Sequence, residues 1–284
     1  MSAPPVTTTP ASGSSDLGST CLAEDVIVGF VSGSLSPSRA RHVEEHVDAC
    51  ADCRQILSAL AGLSHAPSTD DAPPPSDAAL LAGKYRVEGP LGQGGMGVVL
   101  RARHLALDKL VAVKLLLPGG DGRVEAVRFL REARTAARLR SEHAARVLDA
   151  GVLDDGRLYL AMELLEGRDL ARVIREDGPQ PPSVAVDYVL QACDALAEAH
   201  ELGIVHRDVK PANLFLTHTR SGAPLVKVLD FGLSKAPSTA GAGGESDASL
   251  TKSAAILGSP TYMSPEQIKD PKSVDARTDV WSLG

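Results

Sequence analysis

The run His206-Arg207-Asp208-Val209-Lys210-Pro211-Ala212-Asn213 places a carboxylate, an ammonium and an amide in close succession. Asp230-Phe231-Gly232 adds a second carboxylate after the apolar stretch Val226–Leu229. Carboxylate and amide oxygens are hard donors of the kind Mg²⁺ takes. Upstream, Gly92-Gln93-Gly94-Gly95-Met96-Gly97-Val98-Val99 can bring bare backbone N–H groups against phosphate oxygens, where side chains would hold the backbone away. Lys114 closes the apolar run Val111-Ala112-Val113, and a cation in such a strand is costly unless paired. Glu132, on a helix expected to begin near Arg123, is the carboxylate that could pair with it. These groups suit phosphoryl transfer, which needs in-line positioning and charge neutralisation with little covalent chemistry.

A second constellation lies near the N-terminus. Cys21, Cys50 and Cys53 cluster there, whereas Cys193 stands alone, so no disulfide framework is implied. His46 and Cys50 are four residues apart and share a helical face, with Cys53 a turn further. Cys21, His46, Cys50 and Cys53 together would give Zn²⁺ tetrahedral coordination. Such a segment is near the size at which an apolar core alone stops sufficing, and a metal would supply the missing stability. A redox dithiol at Cys50 and Cys53, or a helix bundle with inert thiols, remains open on these spacings. His42, a turn before His46, reads as a solvated face residue that could substitute as ligand.

The elements that must position these groups follow from pattern. Residues 1–20 are Ser, Thr, Pro, Gly and Ala with little apolar mass and are expected to form a disordered tail. In residues 21–63, Leu22, Val26, Ile27 and Phe30 recur at helical spacing. Ser36-Pro37 reads as an N-cap and first helical position, opening a helix through Val43 and Val47 towards Cys50. Residues 64–83, with Pro67 and Pro73 to Pro75, have linker composition. From residue 84 the pattern is globular. Strand-like runs at Val98–Leu100, Leu110–Leu116 and Leu158–Met162 precede helical stretches such as Ala185–His200. Because a strand follows Gly97, the glycine run argues for a β-turn-β flap and against a dinucleotide-binding βα turn.

With these motifs in this order, the chain from Tyr85 to Gly284 resembles the bacterial branch of the eukaryotic-type (Hanks-type) serine/threonine protein kinases. The resemblance implies ATP and Mg²⁺ as cofactors and proteins with Ser or Thr as substrates. It implies an α+β fold class: a β-rich small lobe and a mainly helical large lobe, here preceded by a small α-helical module. Asp208 is then the group that takes the proton of the attacking hydroxyl, and Lys210 balances charge on the γ-phosphate. Asn213 and Asp230 are the Mg²⁺ ligands. Lys114 holds the α- and β-phosphates, with Glu132 positioning it. Lys210 within the HRDxKxxN loop is the serine/threonine pattern. Gly92, Gly94 and Gly97 cover the phosphates; Leu91, Val99, Ala112 and Phe215 sandwich adenine. Met162 stands at the gatekeeper position, the backbones of Glu163 and Leu165 meet the adenine edge, and Asp169 meets the ribose. As plain core residues, the apolar members need no such role.

The resemblance continues through Gly258-Ser259-Pro260-Thr261-Tyr262-Met263-Ser264-Pro265-Glu266, where Ser264 replaces the family's Ala and Ser259 is expected to contact Asp208. Arg207 beside Asp208 marks kinases switched by phosphorylation of the activation segment, and Thr251 and Ser253 are the candidate sites. Asp279 is expected to brace the catalytic loop. Family members continue with further helices and an arginine partner for Glu266, so a fragment or truncated product is expected. Residues Cys21 to about Leu60 resemble the zinc-binding anti-sigma domains of bacterial regulators, which implies Zn²⁺ and a regulatory partner, a sigma factor among the possibilities.

Composition frames these readings. The 284 residues are 43% hydrophobic and 23% charged, which is globular, and 3% aromatic, so the core must rest on Leu, Val and Ala. A net charge of −7 gives no basic field for nucleic acid. No apolar run reaches spanning length and no secretory leader opens the chain, so a cytoplasmic location is expected, with anchoring beyond Gly284 left open. Self-association for autophosphorylation is a further expectation. An alternative from another class is a catalytically inert chain that acts as a zinc-dependent, anti-sigma-like protein-binding regulator.

Overall fold

The coordinates, a computed structural model, describe residues 21–60, 79–94, 97–116, 122–231, 260–270 and 274–284. The apolar residues at helical spacing form three short helices: α1 (Glu24–Val31), α2 (Pro37–Ala49) and α3 (Ala51–Leu60). Pro37 occupies the first position of α2, as expected, because its missing N–H costs nothing there. Ser36 is the N-cap by position, but its hydroxyl bonds Ser38 Oγ at 3.2 Å and caps no backbone N–H. Ile27, Val43, Cys53, Ile56 and Leu60 are buried.

A six-stranded antiparallel sheet follows. Its strands are β1 (Leu80–Leu81), β2 (Tyr85–Gly94), β3 (Gly97–His104), β4 (Lys109–Leu116), β5 (Val147–Val152) and β6 (Leu158–Glu163), in the order β1-β2-β3-β4-β6-β5. The expected linker over 64–83 is corrected at its C-terminal end. Leu80 and Leu81 pair with Arg86 and Tyr85, and Leu81 is buried in the sheet's core.

Alternation divides the sheet into two faces. Leu100, Val113 and Ala161 fall on one face and pack with Tyr85, Val87 and Tyr159. On the other face, Val99 pairs with Lys114 and Lys114 with Leu160, beside the Ala112–Met162 pair. Helix α4 (Gly122–Ala136) covers this second face through Ala126, Val127, Phe129, Leu130 and Ala133. Helices α1 to α3 bury Ile27, Val43, Ile56 and Leu60 in the same apolar cluster, so the N-terminal module and the small lobe share one core.

The larger lobe is built on α6 (Pro182–Glu201), longer than the Ala185–His200 stretch legible in the sequence. Its buried stripe of Ala192, Ala195, Leu196 and Ala199 lets the hairpin β8 (Leu214–His218) and β9 (Pro224–Val228) approach closely. The short strand β7 (Arg168–Asp169) joins β8, and α5 (Leu170–Asp177) follows it. Helices α7 (Pro265–Lys269) and α8 (Arg277–Leu283) complete the described chain. Among the described residues, no helix is long and apolar enough to cross a membrane.

Candidate active site

The loop between α6 and β8 carries Asp208. It is held from below by Asp279, the fully buried carboxylate in the first turn of α8. Asp279 Oδ2 accepts from the His206 backbone N–H at 2.8 Å, and Oδ1 accepts from that of Arg207 at 2.8 Å. His200 Nε2 lies 2.7 Å from the same carboxylate. The sequence expectation for Asp279 thus corresponds to a direct pair of backbone bonds. Arg207 adopts a left-handed φ of 65°, and its Nε is buried without a hydrogen bond. A non-glycine residue in that region persists only where its surroundings over-determine it.

Asp208 Oδ2 lies 3.1 Å from Lys210 Nζ and 3.1 Å from Asn213 Nδ2. Asn213 Nδ2 also donates to the Asp208 carbonyl at 2.7 Å. The amide nitrogen is therefore committed to the loop, which orients the oxygen as the atom able to ligate a cation. Asp208, Lys210 and Asn213 are brought together as their spacing implies, because a tight turn at Pro211–Asn213 folds the loop back on itself.

Asp230 also has a left-handed φ, of 56°. Its flanks are pinned: the Leu229 N–H donates to the Asn213 carbonyl at 2.9 Å, His206 Nε2 donates to the Leu229 carbonyl at 2.7 Å, and Phe231 packs edge-on against His206 at 5.4 Å. This locked backbone turns the Asp230 carboxylate towards the small lobe, where its Oδ2 meets Lys114 Nζ at 2.7 Å. Lys114 is buried, as its apolar strand implied, and paired, as burial demands.

The expected partner is a different one. Among the described residues Lys114 pairs with Asp230 and not with Glu132. The Glu132 carboxyl is instead pushed up to about 7 by burial, with Arg128 and Arg207 pulling it down and Glu24 pushing it further up. The spacing of Lys114 and Glu132 in sequence carries no information on how α4 sits against β4.

The residues expected around a nucleotide occupy the second sheet face and the seam between lobes. Ala112 and Met162 are buried opposite each other, Val99 is partly buried, and Leu91 is half exposed near the flap. Gly92 pairs with Val99 and Gly94 with Gly97, making the β2–β3 hairpin that was expected in place of a βα turn. Gly97 has φ 140°, and a Cβ there would run into the Leu115 carbonyl, so only glycine fits the hairpin against β4. Glu163 ends β6; its Oε1 accepts from the Arg146 backbone N–H at 2.8 Å and from Lys227 Nζ at 2.9 Å. Leu165 follows in the connection to the larger lobe, partly buried. Phe215 lies opposite Asp169 in the β7–β8 pair. Asp169 is the N-cap of α5, its Oδ1 accepting from Arg172 N at 2.8 Å, a structural task for a residue read as a ribose contact.

Lys227 was not singled out from the sequence. Yet Leu225-Val226-Lys227-Val228 carries the same signal as the strand around Lys114, a lone cation in an apolar run, and it too finds a carboxylate. Gly232, Thr251, Ser253 and Ser259 lie outside the described residues. Ser264 is buried and caps α7, accepting from the Gln267 backbone N–H while Gln267 Oε1 accepts from the Ser264 N–H. Its hydroxyl also bonds Thr278 Oγ1, which explains how a polar residue is accommodated at a position where the resemblance expects Ala.

In the N-terminal module, the thiol sulfurs of Cys21, Cys50 and Cys53 lie within 4.8 Å of one another, and Cys21 Sγ is 4.0 Å from Cys50 Sγ. Thiolates ~2.3 Å from a tetrahedral zinc sit about 3.8 Å from each other, so the spacing fits that ion. His46 lies outside this group of three as its ring stands, and its Nε2 is buried without a hydrogen-bond partner. Burial pushes the Cys53 thiol up to about 11, whereas the Cys53 backbone N–H holds Cys50 below the usual thiol range.

Residues 85–284 match the model of the protein kinase domain. The serine/threonine-protein kinase pkn3 of Myxococcus xanthus is 41% identical over 206 residues, covering 72% of this chain and 37% of that protein. The serine/threonine-protein kinase PknB of Mycobacterium tuberculosis is 40% identical over 208 residues, covering 72% of this chain and 32% of that protein. The chain thus spans about a third of the length of these relatives. The crystal structure of the Mycobacterium tuberculosis PknI kinase domain superposes with a TM-score of 0.58 at 31% identity, covering 74% of each chain.

Proposed function

The chain belongs to the protein kinase family, and on that footing we propose that it transfers the γ-phosphoryl group of ATP to Ser or Thr hydroxyls of proteins in bacterial signalling. The observation that carries this reading is the Asp208–Lys210–Asn213 cluster facing Asp230 and Lys114 across the lobe seam. Asp208 accepts the proton of the attacking hydroxyl. Lys210, already on its carboxylate, shields the charge that would otherwise repel the γ-phosphate. Lys114 holds the α- and β-phosphates once its ammonium is shared between them and Glu132. Asn213 and Asp230 offer oxygens to Mg²⁺, which supplies neutralisation of phosphate charge when bound. Gly97 lets the hairpin lie over the phosphates, and Ala112, Val99, Leu91 and Phe215 provide the apolar walls for adenine. Glu163, Leu165 and Asp169 line its open edge.

The test is phosphotransfer from ATP to a generic protein substrate, with Asp208→Asn as the comparison. Loss of turnover with retained nucleotide binding is expected; equal turnover in the variant refutes the assignment of the base. Residues 21–60 are proposed to bind one Zn²⁺ through Cys21, Cys50 and Cys53, with His46 as the fourth donor after a rotation of its ring. What supports this is the sulfur spacing together with the unpartnered His46 Nε2. Metal analysis of the purified chain checks it: one zinc per chain is expected. Zinc without any ATP turnover would favour the binding-regulator reading over the enzyme.

A further inference from the structure

Three arginines on α4, Arg128, Arg131 and Arg134, recur every third residue and so form one stripe along the helix. All three engage the N-terminal module. Arg128 Nη2 lies 3.5 Å from Glu24 Oε2, and Arg131 Nη1 lies 3.8 Å from Glu24 Oε1. Arg131 also donates to the Leu22 carbonyl, and Arg134 donates to the Asp52 carbonyl. Beside the stripe, Leu22, Ile27 and Ile56 of the module are buried in one cluster with Val127, Phe129 and Leu130 of α4. The helix that carries Glu132 is therefore gripped along its outer side by α1 and α3.

The grip coincides with an unmade contact. Glu132 is on α4 between Arg131 and Arg134's turn, within electrostatic reach of Arg128, Arg207 and Glu24, while Lys114 is taken by Asp230. Glu24 thus bears on Glu132 as well as on the two arginines. Resting on the kinase reading above, we propose that residues 21–60 act as an intramolecular clasp on α4, holding Glu132 away from Lys114 and so restraining phosphotransfer until the clasp is loosened. The occupant of this face of α4 is the chain's own N-terminal module. The complementarity is specific in charge, with Glu24 and Asp52 against three arginines, and in shape, with a shared apolar core.

Release would free Lys114 from Asp230 in favour of Glu132. Asp230 would then be available to a cation, and Lys114 to phosphates. One displacement of α4 therefore completes two parts of the site at once.

The experiment uses the full chain in four forms: unaltered, Glu24→Lys, Arg131→Glu, and the double charge swap. Neither residue belongs to the catalytic groups. A carbodiimide couples an amine to a carboxylate only when they touch, so mass spectrometry of the cross-linked chain reads which carboxylate Lys114 meets. The unaltered chain is expected to give mainly the Lys114–Asp230 product. Each single variant is expected to shift the ratio towards Lys114–Glu132 by at least about fivefold, because Arg131→Glu removes one partly buried ion pair and Glu24→Lys removes two. The double swap is expected to return it towards the starting value, which separates loss of the pair from loss of the fold. Phosphotransfer to a generic substrate should rise with the Lys114–Glu132 product. A ratio unchanged across the four forms overturns the clasp; a shifted ratio with no rise in turnover of an active chain overturns its restraining role. No turnover by any form refutes the kinase reading, and the cross-link ratio still decides whether the module positions α4.

Discussion

Replacing Glu132 by Gln isolates the energetic consequence of a buried carboxyl without its lysine. In the folded chain this group titrates at about 7, against an ordinary 4.5, chiefly because burial penalises the charged form. A raised carboxyl pKa means that the folded state binds the proton more tightly than the unfolded state. Its stabilising contribution is therefore fully present below pH 4.5 and is lost as pH rises through 7. At about 1.4 kcal/mol per pKa unit the whole effect is about 3 kcal/mol, of which about 2 to 3 develops between pH 5 and pH 8.5. Gln mimics the neutral carboxyl and has no proton to lose. Glu132→Gln is thus expected to match the parent near pH 4.5 and to be more stable at pH 8.5 by about 2 to 3 kcal/mol, a rise in Tm of about 5 to 10 °C for a chain of this size. The same change should abolish or greatly slow phosphotransfer, because the neutral amide is a poor partner for Lys114. The assay is thermal or denaturant unfolding at both pH values beside a turnover measurement. A variant destabilised at pH 8.5 would show that Glu132 is already compensated by a cation, and would refute the reasoning.

Other perturbations probe the frame around this helix. Asp279→Ala strands one buried and one partly buried backbone N–H, at about 1 to 3 kcal/mol each, so a loss of about 2 to 6 kcal/mol by denaturant titration is expected, with turnover falling as the Asp208 loop loosens. Gly97→Ala drives a methyl into the Leu115 carbonyl at a φ that only glycine adopts freely; a cost of about 1 to 3 kcal/mol and weaker ATP binding, read by melting with and without ATP and Mg²⁺, are expected. Cys50→Ser should lower bound zinc from one per chain to a small fraction by metal analysis while leaving β-sheet circular dichroism intact; full zinc retention would exclude Cys50 as a ligand.

The motifs that carry the chemistry were legible because each is local. The loop around Asp208 is held by contacts among Asp208, Lys210 and Asn213, whose short spacing nearly dictates their meeting. The hairpin at Gly97 followed from the strand after it, and the burial of Lys114 from its apolar neighbours. What the sequence did not disclose is how separate elements sit against one another. Lys114 and Glu132 are joined in sequence by nothing that fixes the placement of α4 on the sheet; tertiary packing decides it, and here Asp230 reaches Lys114 first. Leu80 and Leu81 looked like the end of a proline-rich linker because a two-residue strand has no period to detect, and only the edge of β2 makes it one. Asp169 carries a second task that its type and its place before Leu170 already allowed: its side chain caps α5.

These points converge on the relation between stability and catalysis in α4. A module of about 40 residues is at the margin of what an apolar core can hold together alone. Here it does not stand alone, because Ile27, Ile56 and Leu60 finish a cluster that also contains Val127, Phe129, Leu130, Leu160 and Met162. The module gains from α4 the apolar surface it lacks, and the small lobe gains a cover for the outer side of its helix. The arrangement leaves Glu132 with a raised pKa, so near neutral pH the fold tolerates a group that is half-titrated and matched to no single cation. A carboxyl in that condition is one that a modest change can redirect: supplying Lys114 as a partner would favour its charged form and recover part of the burial cost. The energy that opposes the folded state at Glu132 is therefore the same energy that would favour its pairing with Lys114 once α4 is free to move, which, on the clasp proposed above, ties control of this site to the packing of α1 and α3 on α4.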